Sequence, residues 1–255
     1  MDSKTHPLET LYEDDHLIVL AKPSGLPTAN APRGTESVFT LLQKHRPRGA
    51  FLGVVSRLDA PVSGVLIFAK TRTAAADLSR QFRERTVEKG YVALVEGRFP
   101  APLNTWVDWH DMIERDDRDQ EVVDRSPAET GEEDPAPGRE AHVRARVVRR
   151  AGEVSLVELV PSTGRRHQLR LQLSRRRCPI VGDRRYGGRV PLGPGMEQGI
   201  ALHACSLAVD HPVTAERLRI EAPLPATWSR RFPAVFQRPR SSGPVAPKTE
   251  RRFGG

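Results

Sequence analysis

Short runs of β-branched and large apolar residues, each bounded by charged residues, Gly or Pro, recur along most of this chain. The longest of these runs extend for about five residues, which suits β-strands and is far too short for a membrane span. From this pattern we predict strands over residues 17–21, 51–58, 65–69, 91–96, 143–149 and 154–160.

Two segments place apolar residues at helical spacing instead. Residues 73–85 predict one helix, and residues 165–176 predict another, with Leu169 and Leu173 four positions apart on one face. Predicted strands outnumber helices and do not alternate regularly with them, which indicates an α+β fold around a mostly antiparallel central sheet. The apolar positions of the first helix are Ala76, Leu78 and Phe82.

Polar segments divide the chain into one folded domain and its flexible additions. Residues 9–236 hold the pattern of a folded domain, preceded by a short disordered leader over residues 1–8. Residues 125–139 are rich in Glu, Pro, Gly and Ala, a composition typical of a flexible acidic insertion. Residues 237–255 are rich in Pro, Ser, Gly and Arg, which predicts a disordered basic tail.

The net charge of +8 is distributed unevenly. Residues 108–140 contain 13 acidic and four basic residues, whereas residues 164–189 contain nine arginines against the single acid Asp183. Such a basic stripe suits a polyanion, because each phosphate that Lys or Arg neutralises releases bound counterions. We therefore expect residues 164–189 to contact nucleic acid.

Cysteine usage and the N-terminal sequence indicate the cellular compartment. Only Cys178 and Cys205 occur among 255 residues, and they form no disulfide framework. The polar N-terminus lacks the apolar core of a signal peptide. We expect a cytoplasmic protein that does not bind membranes. His167 and His203 complete no zinc-ribbon spacing with the cysteines, so no metal site is predicted.

Asp59 is the strongest candidate for a chemical role. It lies between the predicted strands over 51–58 and 65–69, in a connection that Pro61 and Gly64 turn. Acids in such connections commonly cap the turn through their own backbone, which is the structural alternative. A wider motif surrounds Asp59, and its parts are Arg57-Leu58-Asp59, Ser63-Gly64 and a strand that ends in Phe68-Ala69-Lys70.

This motif resembles the catalytic motif of RluA-type pseudouridine synthases, and further motifs follow the order of that family. The resemblance covers about residues 11–228. The other matching segments are Tyr12 to Pro27 with Lys22-Pro23-Ser24-Gly25, Lys89-Gly90-Tyr91 to Gly97, Thr163 to Arg170, Pro179 to Asp183 with Tyr186-Gly187, and Leu202-His203-Ala204.

The resemblance implies a fold and an activity. It implies a long mixed sheet with a central active-site cleft, and an isomerase that converts specific uridines of structured RNA to pseudouridine without a cofactor. In that family the Asp at the position of Asp59 is the nucleophile, the Tyr at Tyr91 lies in the active site, and the Arg at Arg170 pairs with the Asp. Whether the Asp attacks C1′, adds to the base or removes an adjacent proton stays open.

Residues around the motifs are expected to contact RNA. By resemblance, Arg57 enters the RNA stack in place of the flipped base. The family usually has His where this chain has Ser56, and commonly has another His at Gln172, so we expect both positions to change RNA contacts. The predicted RNA-binding residues are Arg57, Arg165, Arg166, His167, Gln168, Arg175 and Arg176.

Three functional readings follow. The first is an active synthase that works as a monomer on tRNA or rRNA. Larger members of the family have a small RNA-binding domain before the catalytic one, whereas this match begins near residue 9, so we expect the catalytic domain itself to supply the affinity for RNA. A catalytically silent RNA-binding or ribosome-assembly factor on the same fold is the main alternative, and the presence of Asp59, Tyr91 and Arg170 argues against it. The related small-subunit-rRNA subgroup shares the Arg-Leu-Asp triplet, but Ser63-Gly64 favours the RluA type.

Overall fold

The computed structural model describes residues 8–32, 34–113, 122–123, 138–195 and 197–237. The leader, acidic insertion and basic tail predicted above lie almost entirely outside these residues. The strands are β1 (Glu9–Glu13), β2 (Leu17–Lys22), β3 (Gly53–Val54), β4 (Ser63–Ala69), β5 (Glu88–Glu96), β6 (Val107–Ile113), β7 (Val122–Val123), β8 (Arg139–Ala151), β9 (Val154–Pro161), β10 (Leu202–Asp210) and β11 (Arg217–Glu221). The helices are α1 (Val38–Lys44), α2 (Arg72–Glu84), α3 (Gln168–Arg175), α4 (Ala226–Arg231) and α5 (Pro233–Phe236), with a 3₁₀ turn at Arg184–Tyr186.

The strands join in one sheet. Its order is β1-β2-β4-β10-β5-β9-β8-β6-β7, with β3 beside β4 and β11 beside β10. Among the described strands, β4 and β10 run parallel and every other neighbouring pair is antiparallel. The expected α+β fold with a mixed, mostly antiparallel sheet is therefore confirmed.

The parallel contact between β4 and β10 joins the two halves of the sheet. It pairs Ser63 with His203 and Gly64 with Ala204. Gly64 has φ +119°, and a Cβ there would stand 2.2 Å from the carbonyl oxygen of Ala204, so only glycine permits this approach. The Ser63 hydroxyl lies 2.9 Å from His203 Nδ1 and adds a side-chain link across the same junction.

Helices cover both faces of β4. Val65 and Ile67 pack in the cluster that contains the apolar residues of α2, whereas Leu66 and Phe68 pack in the cluster that contains those of α1. Burial on both faces explains why β4 reads as a continuous apolar run. A third cluster lies between α3 and the strands β5, β8 and β9. Within the described residues, no helix has the length and apolarity needed to cross a membrane.

The predicted strand over residues 51–58 is mostly wrong, because only Gly53–Val54 pairs with β4. Beyond Val54 the Thr28 side chain supplies backbone hydrogen bonds that a neighbouring strand would otherwise make. The Thr28 hydroxyl donates to the Leu58 carbonyl oxygen (2.8 Å) and accepts from the Leu58 N–H (3.1 Å). The backbone before Asp59 is thereby satisfied while it leaves the sheet.

Both predicted helices exist, with corrections. In α2, Ala74, Leu78 and Gln81 are buried, whereas Ala76 faces solvent. The second helix begins at Gln168, because the preceding His167 has φ +55°, in the left-handed region. The sequence therefore predicted the presence of both helices but misplaced one buried face and one start.

Candidate active site

Asp59 lies on the loop between β3 and β4, and a buried lysine holds that loop from beneath. Lys22 is 1% exposed, and its ammonium donates to the carbonyl oxygens of Ala60 (3.0 Å), Leu26 (2.6 Å) and Pro23 (2.9 Å). Burial lowers the pKa of Lys22 to about 7, although the negative charge of Asp59 opposes that shift. The Lys-Pro-Ser-Gly turn therefore fixes the backbone that carries Asp59.

Two more hydrogen bonds complete this support. The Ser24 hydroxyl donates to the Pro61 carbonyl oxygen (2.6 Å), and the Gly25 N–H donates to the Ala60 carbonyl oxygen (2.8 Å). Gly25 has φ +86°, which suits glycine at this turn. The Lys22-Pro23-Ser24-Gly25 motif thus contacts the motif around Asp59 and positions its carboxylate.

The carboxylate of Asp59 faces a buried arginine. Arg170 Nη1 lies 3.2 Å from Asp59 Oδ2, and His167 Nε2 lies 3.6 Å from the same oxygen. The Asp59 side chain is 28% exposed, whereas that of Arg170 is only 7% exposed. The structure therefore places the predicted Asp–Arg pair at the boundary between protein interior and solvent.

Asp183 orients Arg170 for this contact. It is 1% exposed and accepts two hydrogen bonds from the guanidinium, from Nε to Oδ2 (2.7 Å) and from Nη2 to Oδ1 (2.8 Å). Burial opposes the charge of Arg170, but the two carboxylates outweigh it and raise the pKa of Arg170. The remaining nitrogen, Nη1, is left for Asp59. The bidentate geometry requires arginine at this position.

Tyr91 is the third predicted catalytic residue. It lies on β5, half-buried, and its side chain lines the same cavity as Asp59 and Arg170. Burial, and then the negative charge of Asp59, raise the pKa of Tyr91 well above its ordinary value of 10.0. The hydroxyl is therefore protonated at neutral pH, which suits stacking and proton donation better than action as a base.

His167 links the pair to a second tyrosine that the sequence analysis did not assign. His167 Nδ1 lies 2.7 Å from the Tyr186 hydroxyl, and the Arg170 guanidinium stacks over the Tyr186 ring at 4.8 Å. Burial lowers the pKa of His167 against the opposing effect of Asp59. Tyr186 belongs to one of the matching segments, but nothing in the sequence indicated that it packs on Arg170.

Asp59, Tyr91, His167 and Arg170 line one open cavity of about 490 Å³. Its floor is formed by β4, β5 and β10, where the two halves of the sheet meet. Of the predicted RNA-binding residues, Arg57, Arg165, His167 and Gln168 line it. Arg166 and Arg175 are exposed, but neither lines the cavity.

Two of the predicted RNA-binding residues have structural partners within the protein. Arg176 donates to both oxygens of the buried Asp111 (3.0 and 3.1 Å) and stacks over Trp109, so it stabilises the packing of α3 on β6. Gln168 is 4% exposed, and its amide oxygen accepts from the Thr163 hydroxyl and the Arg165 N–H. Its amide group therefore closes the turn before α3.

The two departures from the family pattern lie in different surroundings. Ser56 lines the cavity and is positioned to touch a ligand. Gln172 is fully buried, and its amide donates to Asp111 Oδ2 (2.6 Å) and to the Ala141 carbonyl oxygen (3.2 Å). Gln172 therefore links α3 to β6 and β8 and does not line the cavity.

Comparison with known proteins gives concordant matches. The family model described as RNA pseudouridylate synthase matches residues 16–175. The ribosomal large subunit pseudouridine synthase C of Salmonella typhimurium is 36% identical over 220 residues, which cover 84% of this chain and 66% of that protein. The protein of that name from Vibrio cholerae is 35% identical over 229 residues, covering 88% of this chain and 69% of its own length. This chain thus spans about two thirds of the length of these relatives.

Two solved human structures share the fold. RNA Pseudouridylate Synthase Domain Containing 4 superposes with a TM-score of 0.69 at 24% identity, covering 89% of this chain and 93% of that one. RNA Pseudouridylate Synthase Domain Containing 1 gives a TM-score of 0.67 at 23% identity, covering 94% of this chain and 98% of that one.

Proposed function

Because this chain belongs to the RNA pseudouridylate synthase family, we propose that it isomerises specific uridines in structured RNA to pseudouridine, with Asp59 as the catalytic carboxylate. The observation that carries the proposal is the Asp59–Arg170 contact of 3.2 Å at an open cavity. One arginine nitrogen binds the carboxylate, and 28% of the Asp59 side chain stays exposed to a substrate.

The reaction exchanges one bond for another. The N1–C1′ bond of uridine breaks, the uracil turns, and a C5–C1′ bond forms. The proton that C5 loses is balanced by the proton that N1 gains, so the reaction needs no oxidant or reductant. A carboxylate suits the first step, because it can stabilise or trap positive charge at C1′ or remove an adjacent proton.

The neighbouring residues have distinct proposed roles. Arg170 keeps Asp59 ionised and oriented, and Asp183 keeps Arg170 in place. Tyr91 offers its ring to the uracil and its protonated hydroxyl to proton transfer. The target base must leave its stack to reach this cavity, and the exposed Arg57 at the rim is suited to fill the space it leaves.

For the substrate, we propose an RNA of the large ribosomal subunit over a tRNA. The names of the relatives support this choice, since they describe ribosomal large subunit pseudouridine synthases. Arg165 lines the cavity, and it supplies positive charge suited to RNA phosphates together with the exposed Arg166 and Arg175 of the same basic segment. Action as a monomer in the cytoplasm completes the proposal.

Mapping of pseudouridines tests it directly. RNA from cells that lack the gene should miss at least one pseudouridine of the large-subunit rRNA, and the wild-type gene should restore it. A gene that encodes Asp59→Asn should not restore the modification. Restoration by Asp59→Asn would contradict the catalytic assignment. A ribosome-assembly defect with every pseudouridine intact would instead support the silent RNA-binding factor.

A further inference from the structure

The cavity extends beyond Asp59 to a basic wall that the catalytic proposal leaves without a role. This wall comes from the end of α2 and the start of β5, which are adjacent in sequence. Phe82 is half-buried and contributes an apolar surface, while Arg83 and Arg85 are exposed at its rim. Lys89 completes the wall from the strand that also carries Tyr91.

The cations of this wall lack carboxylate partners within the described part of the chain. Neither Arg83 nor Arg85 forms an ion pair there, and the hydrogen-bond acceptor of Lys89 is the carbonyl oxygen of Thr163 (2.9 Å). Arg80, one turn earlier on α2, is different, because it pairs with Asp77 and with Glu84. On α2 the positive charge of Arg80, away from the cavity, is therefore neutralised. The positive charges of the cavity wall have no carboxylate partner among the described residues.

Lys89 is held in place while its charge stays uncompensated. Burial, followed by the nearby positive charge of Arg85, lowers the pKa of Lys89 to about 8. The ammonium is still largely protonated at neutral pH, and an anion at this place would stabilise it further. Lys89 and Tyr91 are two positions apart on β5, so they point to the same face with Cα atoms about 7 Å apart.

Arg85 occupies a backbone conformation that favours glycine. It caps the C-terminus of α2 with φ +61°, in the left-handed region, and its N–H donates to the Gln81 carbonyl oxygen. Glycine is the usual residue at this position of a helix, because a Cβ is strained there. A strained arginine at the rim of a cavity is an observation from which a function can be inferred.

We propose that Arg83, Arg85 and Lys89 form a phosphate-binding subsite for the RNA backbone next to the target uridine. This inference rests on the proposed function only for the identity of the ligand as RNA. A uracil against Tyr91 brings its own backbone towards Lys89, and the guanidinium groups of Arg83 and Arg85 meet the adjoining phosphate from the rim. Guanidinium and ammonium groups in a partly desolvated cavity suit this anion.

The test uses the full chain and a fluorescent single-stranded oligouridylate, with binding measured by anisotropy at several salt concentrations. Arg85→Gly removes the charge and also relieves the strained backbone, so its melting temperature should equal or exceed that of the wild type. Its affinity should fall about tenfold, as expected for loss of a charged hydrogen bond. The log–log salt slope should shrink by about 0.7, the value for one phosphate of a single strand.

Arg80→Ala is the matched control, because it removes one positive charge from the same helix away from the cavity wall. It should leave the salt slope unchanged, and Lys89→Met should reproduce the effect of Arg85→Gly. An unchanged slope for Arg85→Gly, or an equal loss for Arg80→Ala, would overturn the subsite. Oligouridylate binding requires no turnover, so a protein that bound it through these residues yet made no pseudouridine would refute the proposed function alone.

Discussion

Two aspartates of this protein lie at turns, and their surroundings differ in kind. Among the described residues, the carboxylate of Asp59 accepts one hydrogen bond of 3.2 Å, from Arg170, and has a histidine nitrogen at 3.6 Å. Asp14, at the turn between β1 and β2, has both oxygens occupied. Its four partners are the N–H groups of His16 (2.7 Å) and Leu17 (2.8 Å), the Tyr12 hydroxyl (3.0 Å) and His211 Nε2 (2.7 Å).

The difference separates a carboxylate that stabilises the fold from one that is available for catalysis. Burial opposes the charge of Asp14, but the backbone hydrogen bonds outweigh it and lower the pKa of Asp14 to about 2. Asp14 thus caps its turn through the backbone, which is the role that the sequence left open for Asp59. Asp59 instead keeps lone pairs available, because its loop is held by Lys22. A carboxylate can remain reactive where other groups stabilise the fold around it.

The largest expected effect is loss of activity at Asp59. Asp59→Asn keeps the shape but removes the charge, so pseudouridine formation should fall by at least about 10³-fold. RNA binding and the melting temperature should stay close to wild type, since the loop does not depend on this side chain. Tritium release from RNA that contains C5-labelled uridine measures the activity. Tritium release near the wild-type rate would show that Asp59 is not catalytic, and its role would then not differ from that of Asp14.

Arg170 should contribute to both catalysis and stability, since it contacts Asp59 and Asp183. Arg170→Ala leaves the buried Asp183 without its partner, which typically costs about 3–5 kcal/mol, and it should also abolish turnover. Arg165→Ala and Arg175→Ala are controls from the same basic segment and should change stability by less than about 1 kcal/mol. Urea melts and single-turnover rates measure the two effects. Equal, small changes in all three variants would contradict this assignment.

The sequence predicted the strands that contain a continuous apolar run. β4, β5 and β9 read as apolar runs and are strands in the structure. β10 was missed, because Leu202 to Asp210 mixes His, Cys and Ser with small apolar residues. Its residues are buried by tertiary contacts that no local pattern reveals. The seven-residue helix α1 was also missed, although Ser37 caps it through a reciprocal pair with Thr40.

For the site, family resemblance identified Asp59, Tyr91 and Arg170, which the structure brings together, while their catalytic roles stay predictions. Asp183 was missed as the anchor of Arg170, although it is the only acid among nine arginines in residues 164–189, and that isolation was a usable signal. The pairing of Arg176 with Asp111 was also missed, because sequence alone did not show which face of α3 packs on β6.

A smaller effect is expected at Asp14, and it should concern stability alone. Asp14→Ala leaves the N–H groups of His16 and Leu17 without their acceptor, so the free energy of unfolding should fall by about 1–3 kcal/mol. Activity per folded molecule should be unchanged. Asp15→Ala is the matched control, since Asp15 is exposed beside it, and should change stability by less than about 0.5 kcal/mol. A loss of turnover in folded Asp14→Ala would contradict the separation of roles.

The smallest effect is a pH dependence of stability that belongs to Asp14. Its pKa is 3.8 in an ordinary setting and about 2 in the folded chain, so the unfolded chain binds the proton more tightly. The stabilisation by Asp14 is therefore fully present above about pH 4 and is lost as the pH falls towards about 2. At 26% exposure the shift corresponds to roughly 2 kcal/mol or less.

Asp14→Asn removes the titration, so its stability deficit relative to wild type should shrink as the pH is lowered from about 6 to about 3. Urea melts of both proteins across that range measure the deficit, and Asp15→Asn supplies the baseline for loss of an exposed charge. A deficit that stayed constant with pH would mean that hydrogen-bond geometry, rather than ionisation, makes Asp14 structural, and charge would no longer distinguish it from Asp59.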